Sequence, residues 1–152
     1  MIRFFTALLL LALVLGGCSK SQPPQPVVVL DSWWNVDYAK NWCNDSNPCT
    51  SDPVVGVNEF ERDLITQFAS QGACHSVKVL QLIDPKSADS KVAEALSNEH
   101  WNLSINFTVD KPSQEWQMVN LKKSAEVLKG NGTPSEIVKN VCNILTNKGG
   151  QV

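Results

Sequence analysis

The residue pattern predicts one small α/β (α+β) domain, a mixed sheet of about four strands packed with three to four helices and stapled by two disulfides. Three observations carry this. Residues 101–109 alternate without a fault: Trp101, Leu103, Ile105, Phe107 and Val109 point one way, and Asn102, Ser104, Asn106 and Thr108 the other. That is the period of a strand with one polar face. Residues 133–145 place apolar side chains at helical spacing behind a complete start signal. Strand-like and helix-like stretches alternate between the two termini, which implies helices packed on a mixed sheet.

The elements follow in order. Residues 27–30 are continuously apolar, as a buried first strand requires. Residues 31–42 follow; if they are helical, Trp34, Tyr38 and Trp42 share one face at i, i+4 and i+8. A polar cysteine loop and Asp52-Pro53 read as irregular chain. Residues 58–71 read as a helix, with Asn58 as cap, Glu61 as its capping-box partner, and Val57, Phe60, Leu64 and Phe68 as the apolar stripe. Gly72 ends it. Residues 76–83 are β-rich and apolar, which predicts a central strand stopped by Asp84-Pro85. Residues 86–98 form a weaker helix, with Ala88, Val92, Ala95 and Leu96 facing in. The strand at 101–109 turns through residues 111–114 and pairs back over 115–121. Its polar face implies that one side of the sheet is only partly covered. The last helix has Thr133 as cap, Pro134 in the first position and Glu136 closing the box. Ile137, Val138, Val141, Ile144 and Leu145 form its apolar side, and Gly149-Gly150 ends it.

The first eighteen residues are not part of that domain. Arg3 precedes an apolar run over residues 4–15, broken only by Thr6, and Leu15-Gly16-Gly17-Cys18 closes it. A charged start, a short apolar core and small residues before a cut site make a secretory signal. The run is too short to cross a hydrocarbon core of about 30 Å as a stable helix. The predicted organisation is a signal peptide over 1–17, Cys18 with a Pro-rich tether over 18–26, and a globular domain over 27–152. Cleavage before Cys18 leaves 135 residues, enough for one core. It removes Arg3 from 13 basic residues and none of the 15 acidic ones, so the formal charge becomes −3. A basic stripe of the kind that binds nucleic acid is absent from the sequence.

Cys43, Cys49, Cys74 and Cys142 remain after Cys18. An even number in an exported domain predicts two disulfides, with three possible connectivities. Cys43–Cys49 and Cys74–Cys142 is the favoured pairing. The first closes a small polar loop; the second ties the start of a strand to the last helix. The same cysteines with His75 match no zinc spacing, so no metal is expected.

Chemistry-bearing patterns are few. Cys74-His75 places a thiol beside a base, but neighbours on a strand point to opposite faces. There is no nucleophile elbow, phosphate loop or His-Glu-x-x-His, so no catalytic residue and no cofactor is expected. The Asn102, Asn106 and Asn131 glycosylation sequons read as chance. The densest feature is aromatic: Trp33, Trp34, Tyr38 and Trp42 are four of the six Trp and Tyr residues. They are either core or a partner-binding surface, since Trp and Tyr both bury large areas and populate hot spots. Asp31, Asp37, Asp45 and Asp52 surround them, so a basic partner would suit such a surface.

Leu15-Gly16-Gly17-Cys18 resembles the lipobox of bacterial lipoproteins. That resemblance implies diacylglycerol on the Cys18 sulfur, cleavage before Cys18 and acylation (palmitate) of the new terminus. Two or three acyl chains anchor far more firmly than one. The family's sorting rule, read at Ser19, implies the outer membrane, with the domain facing the periplasm. The tether at 19–26 reaches about 25 Å when extended, so the domain stays near its membrane. The element order is similar to small periplasmic α/β domains of the cell envelope. Examples are the N-terminal domain of the Tol-system translocation protein and the lipoprotein activators of penicillin-binding proteins. The expected role is a non-enzymatic accessory lipoprotein that binds another envelope protein or peptidoglycan. The alternative is an inhibitor or immunity lipoprotein that neutralises a toxin, lysozyme or secreted effector.

Overall fold

The computed structural model describes residues 24–121 and 126–148. The leader, Cys18 and the tether through residue 23 lie outside the described residues. Among the described residues there are five strands and four helices: β1 (Val27–Leu30), α1 (Ser32–Trp42), α2 (Pro53–Ser70), β2 (Lys78–Gln81), α3 (Ser90–Ser97), β3 (Trp101–Asn106), β4 (Gln114–Asn120), β5 (Glu126–Gly132) and α4 (Pro134–Lys148). A 3-10 turn over Gly72–Cys74 precedes β2. Among the described residues no helix is long and apolar enough to cross a membrane.

The sheet is mixed, in the order β2-β1-β3-β4-β5. β1 runs parallel to both β2 and β3, while β3, β4 and β5 are antiparallel. The chain therefore leaves β1 toward one side and crosses back over it to reach the other. Crevices form at the carboxyl ends of strands where order reverses in this way. The main core lies on one face. Val28, Leu30, Leu103, Ile105, Trp116 and Met118 of the sheet meet Val57, Leu64 and Phe68 of α2 and Ile137, Val141 and Leu145 of α4. On the other face α3 covers only the β1–β2 end, through Val29, Leu82, Val92 and Ala95. Over β5 that second face is open: Val127, Lys129 and Asn131 are exposed.

Both disulfides form as favoured, Cys43–Cys49 and Cys74–Cys142, the latter with Cα atoms 5.3 Å apart. Cys74 lies in the 3-10 turn, not at a strand start. Thr50 and Ser51 donate hydroxyls to Asp110, which holds the chain after the small disulfide loop against the β3–β4 turn. Asp110 occupies the left-handed region at φ 63°, a conformation Asp tolerates better than most residues.

Four expectations are corrected. The helix expected over 58–71 begins at Pro53: Asp52 caps it, accepting from the Val54 N–H at 2.8 Å. Asn58 is therefore mid-helix. The strand over 76–83 is short and lies at the sheet's edge; β1 and β3 hold the interior positions. The helix over 86–98 contracts to Ser90–Ser97 because Asp89 accepts from Lys91 and Val92 N–H, and Leu96 is exposed. The strand over 101–109 stops at Asn106, beyond which buried Gln114 brackets the chain. Its Oε1 accepts from Thr108 N–H at 2.6 Å, and its Nε2 donates to the Thr108 and Lys111 carbonyls. β5 was not expected; its sequence, EVLKGNG, has no apolar alternation because most of it faces water. Gly130 belongs there for packing, since a Cβ would meet the Trp116 indole at 3.0 Å.

Candidate functional site

α1 carries its residues the wrong way round for an ordinary surface helix. Its buried residues are Ser32, Asn35 and Ala39. Its large aromatics lie outside both core clusters. Trp33 is 47 % and Trp34 38 % exposed; Tyr38 and Trp42 are half-buried. Trp34, Tyr38 and Trp42 form a ladder, with ring centroids 6.0 and 6.4 Å apart. Spacing of four residues places them in line along the helix. Asp31 starts the helix, accepting from Trp34 N–H at 3.2 Å while Asn102 donates to its other oxygen.

The polar residues of α1 point inward for a definable reason. The β1–β3 ladder ends where Asp31 N–H donates to the Leu103 carbonyl at 2.9 Å. β1 then bends into α1, leaving the Ile105 N–H of β3 without a strand partner on that side. Asn35 supplies one: its Oδ1 accepts from Ile105 N–H at 2.9 Å. Its amide nitrogen donates to Glu61 at 2.5 Å, and Ser32 donates to the other Glu61 oxygen at 2.6 Å. Gln81 of β2 donates in turn to the Ser32 hydroxyl at 3.4 Å. Glu61, 4 % exposed, thus joins α1 and α2 at the carboxyl end of the parallel strands. Burial pushes its carboxyl above the ordinary carboxylate value; the Ser32, Asn35 and Gln81 hydrogen bonds pull it down, and the Asp31 charge pushes it up.

Two small cavities open beside this network. One, of about 290 Å³, runs between Trp33 and Ile83, over Val36 and Asp37, with Glu61 in its lining. The other, of about 260 Å³, shares Asn58, Glu61 and Gln81 and reaches Arg62 and Thr66. Ile83 is 72 % exposed, so the cleft has two apolar side chains at its rim, with Asp37, Lys40 and Glu61 also in its lining.

The aromatic residues singled out from the sequence are thus split. Trp34, Tyr38 and Trp42 come together, whereas Trp33 lines the cleft. Cys43, Cys49, Cys74 and Cys142 are bridged, and Cys18 lies outside the described residues. Cys74 is bonded to Cys142, and His75 is exposed. Glu61 is not the capping-box partner that its spacing from Asn58 suggests but the centre of this buried network. A signal existed, because Glu61 interrupts the stripe Val57, Phe60, Leu64 and Phe68 on its buried side. Among the described residues no group of three or more His, Cys, Asp and Glu is placed to hold a metal ion. No family model matches the chain, no curated protein matches it, and no solved structure matches its fold.

Proposed function

We propose that the chain is a bacterial envelope lipoprotein, anchored through Cys18 at the periplasmic face of the outer membrane. It acts by binding another envelope protein rather than by catalysis. The observation that carries the binding role is the outward aromatic face of α1. Exposed apolar patches on small domains mark interaction sites, and Trp and Tyr dominate interface hot spots. Asp31, Asp37, Asp45 and Asp52 lie on or near this helix, which favours a basic partner. Leu15-Gly16-Gly17-Cys18 supports the anchor, and two disulfides fit an oxidising compartment.

Two experiments test this. Capture from envelope extract with the lipidated chain is expected to retain a basic protein that Trp34→Ala/Trp42→Ala loses. Sedimentation with purified sacculi reads the peptidoglycan alternative directly. Retention of a cationic hydrolase or toxin would move the assignment to an inhibitor. The anchor is tested separately, by Cys18→Ser, which is expected to move the chain from the membrane to the soluble fraction. Unchanged membrane association of that variant would remove the lipoprotein reading.

A further inference from the structure

The cleft between Trp33 and Ile83 holds a carboxylate to which, among the described residues, no cation is bonded. Glu61 accepts from the Ser32 hydroxyl and from the Asn35 and Gln81 amides, all neutral. An ionised carboxylate has about four lone-pair sites, so one direction remains. A buried carboxylate without a counter-charge is costly; here the cost appears as a raised titration, and a hydrogen-bonded cation brought into the cleft would relieve it. Asp37 in the lining adds negative charge. Lys40 and Arg62 reach the cavity walls but are exposed.

The size of the cleft limits the occupant. Pockets for drug-sized ligands run to about 300–1,000 Å³, and this one, at about 290 Å³, sits at the bottom of that range. One long side chain fits the volume. Its lips are an indole and an aliphatic chain, which suit a long stem ending in charge. Trp33 also adjoins Trp34, about 100° around the same helix. The ladder (Trp34, Tyr38, Trp42) and the cleft residues of α1 (Trp33, Asp37, Lys40) lie on different faces of the helix, so a partner on the ladder must reach around α1 to enter the cleft.

We infer that this cleft is a socket for one arginine side chain of the partner, its guanidinium directed at Glu61 and its plane laid on Trp33. Arginine is favoured over lysine because its guanidinium is planar, stacks on aromatic faces and is more weakly hydrated than an ammonium. The inference rests on the binding role proposed above and names the partner's anchor.

The test titrates the ¹⁵N-labelled, lipidated full chain in detergent micelles with Nα-acetyl-arginine amide. The Trp33 indole N–H and the backbone amides of Ser32 and Gln81 are expected to shift saturably. The isosteric, neutral Nα-acetyl-citrulline amide is expected to bind at least about tenfold more weakly, and Glu61→Gln to lose about the same factor. Should Glu61→Gln fail to fold, Trp33→Ala at the exposed lip is expected to weaken the arginine probe comparably. Equal binding of the citrulline or lysine analogue, or arginine binding unchanged in these variants, overturns the socket. If the arginine probe fails while an envelope partner is still captured through Trp34 and Trp42, only the socket falls. If the probe binds but no Trp34- and Trp42-dependent partner exists, the wider functional reading falls instead.

Discussion

Helices α1 and α4 are built on opposite rules. α4 buries Ile137, Val138, Val141, Cys142 and Leu145, each 3 % exposed or less. It opens on a working capping box, in which Thr133 N–H and hydroxyl donate to Glu136 and hold that carboxyl below its ordinary range. α1 buries a serine, an asparagine and an alanine, leaves Trp33 and Trp34 exposed and keeps Tyr38 and Trp42 half-buried. The contrast separates two uses of a helix. α4 completes the core. α1 closes the sheet's broken ladder with polar side chains, and its bulky residues are left over for the surface.

The largest expected effect lies at the α4 anchor. Cys74→Ser/Cys142→Ser opens a 68-residue separation, which on the chain-entropy account costs about 4 kcal/mol. Cys43→Ser/Cys49→Ser opens a separation of only 6, worth about 2 kcal/mol on the same account. Urea unfolding of the two double variants measures this ordering. Equal losses would show that α4 is no more firmly tied to the domain than the small loop. Next comes the α4 core face. Ile137→Ala is expected to cost about 3 kcal/mol, because a fully buried isoleucine leaves both lost burial and a cavity.

The polar inside of α1 comes third. Asn35→Ala strips partners from both the Ile105 N–H and Glu61, and an unsatisfied buried group costs about 1–3 kcal/mol. Glu61 adds a pH signature. Its folded carboxyl titrates above the unfolded value, so the folded protein holds this proton more tightly. The stability it contributes is fully present below the ordinary glutamate value and is lost as pH rises through the raised folded value. The stability difference between the wild-type chain and Glu61→Gln, followed by denaturation across that window, should therefore change steadily with pH. A constant difference would mean that Glu61 titrates as an ordinary surface carboxylate.

How legible the molecule was depended on whether one local rule governed a segment. α4 and β3 were readable because their apolar residues recur at the period of the element, although Ser104 on the polar side of β3 is buried as well. β1 was readable because both its faces are covered. β5 was not: Glu126, Val127, Lys129 and Asn131 are exposed, and its place beside β4 is set by pairing and by Gly130 beneath Trp116. The start of α2 was misplaced because two capping signals competed, and Asp52-Pro53 outranked Asn58. Glu61 was misread for the same reason. The need it meets, with Asn35 covering Ile105 N–H, arises only once β1 departs from β3. The place of Glu61 in the apolar stripe marks it as buried, but the ladder it helps to close, at Ile105, lies seventy residues from Asn35 and leaves no local sign. The aromatic cluster was visible from the sequence, but its orientation was decided by Ser32 and Asn35 taking the inner face of the same helix.

The smallest effect on stability, and the most informative, is expected on the outer face of α1. Trp34→Ala removes a ring that lies outside both core clusters and is already 38 % exposed. A substitution away from core, caps and buried networks stays near half a kcal/mol, so Trp34→Ala and Trp42→Ala should each cost less than about 1 kcal/mol. Ile137→Ala on α4 should cost several times more, with thermal unfolding reading both helices on one scale. Partner capture should fall in the opposite order, lost with the tryptophans and kept by any α4 variant that still folds. If Trp34→Ala unfolds the domain as Ile137→Ala does, the aromatic ladder is structural, and the distinction between a helix for the core and a helix for a partner disappears.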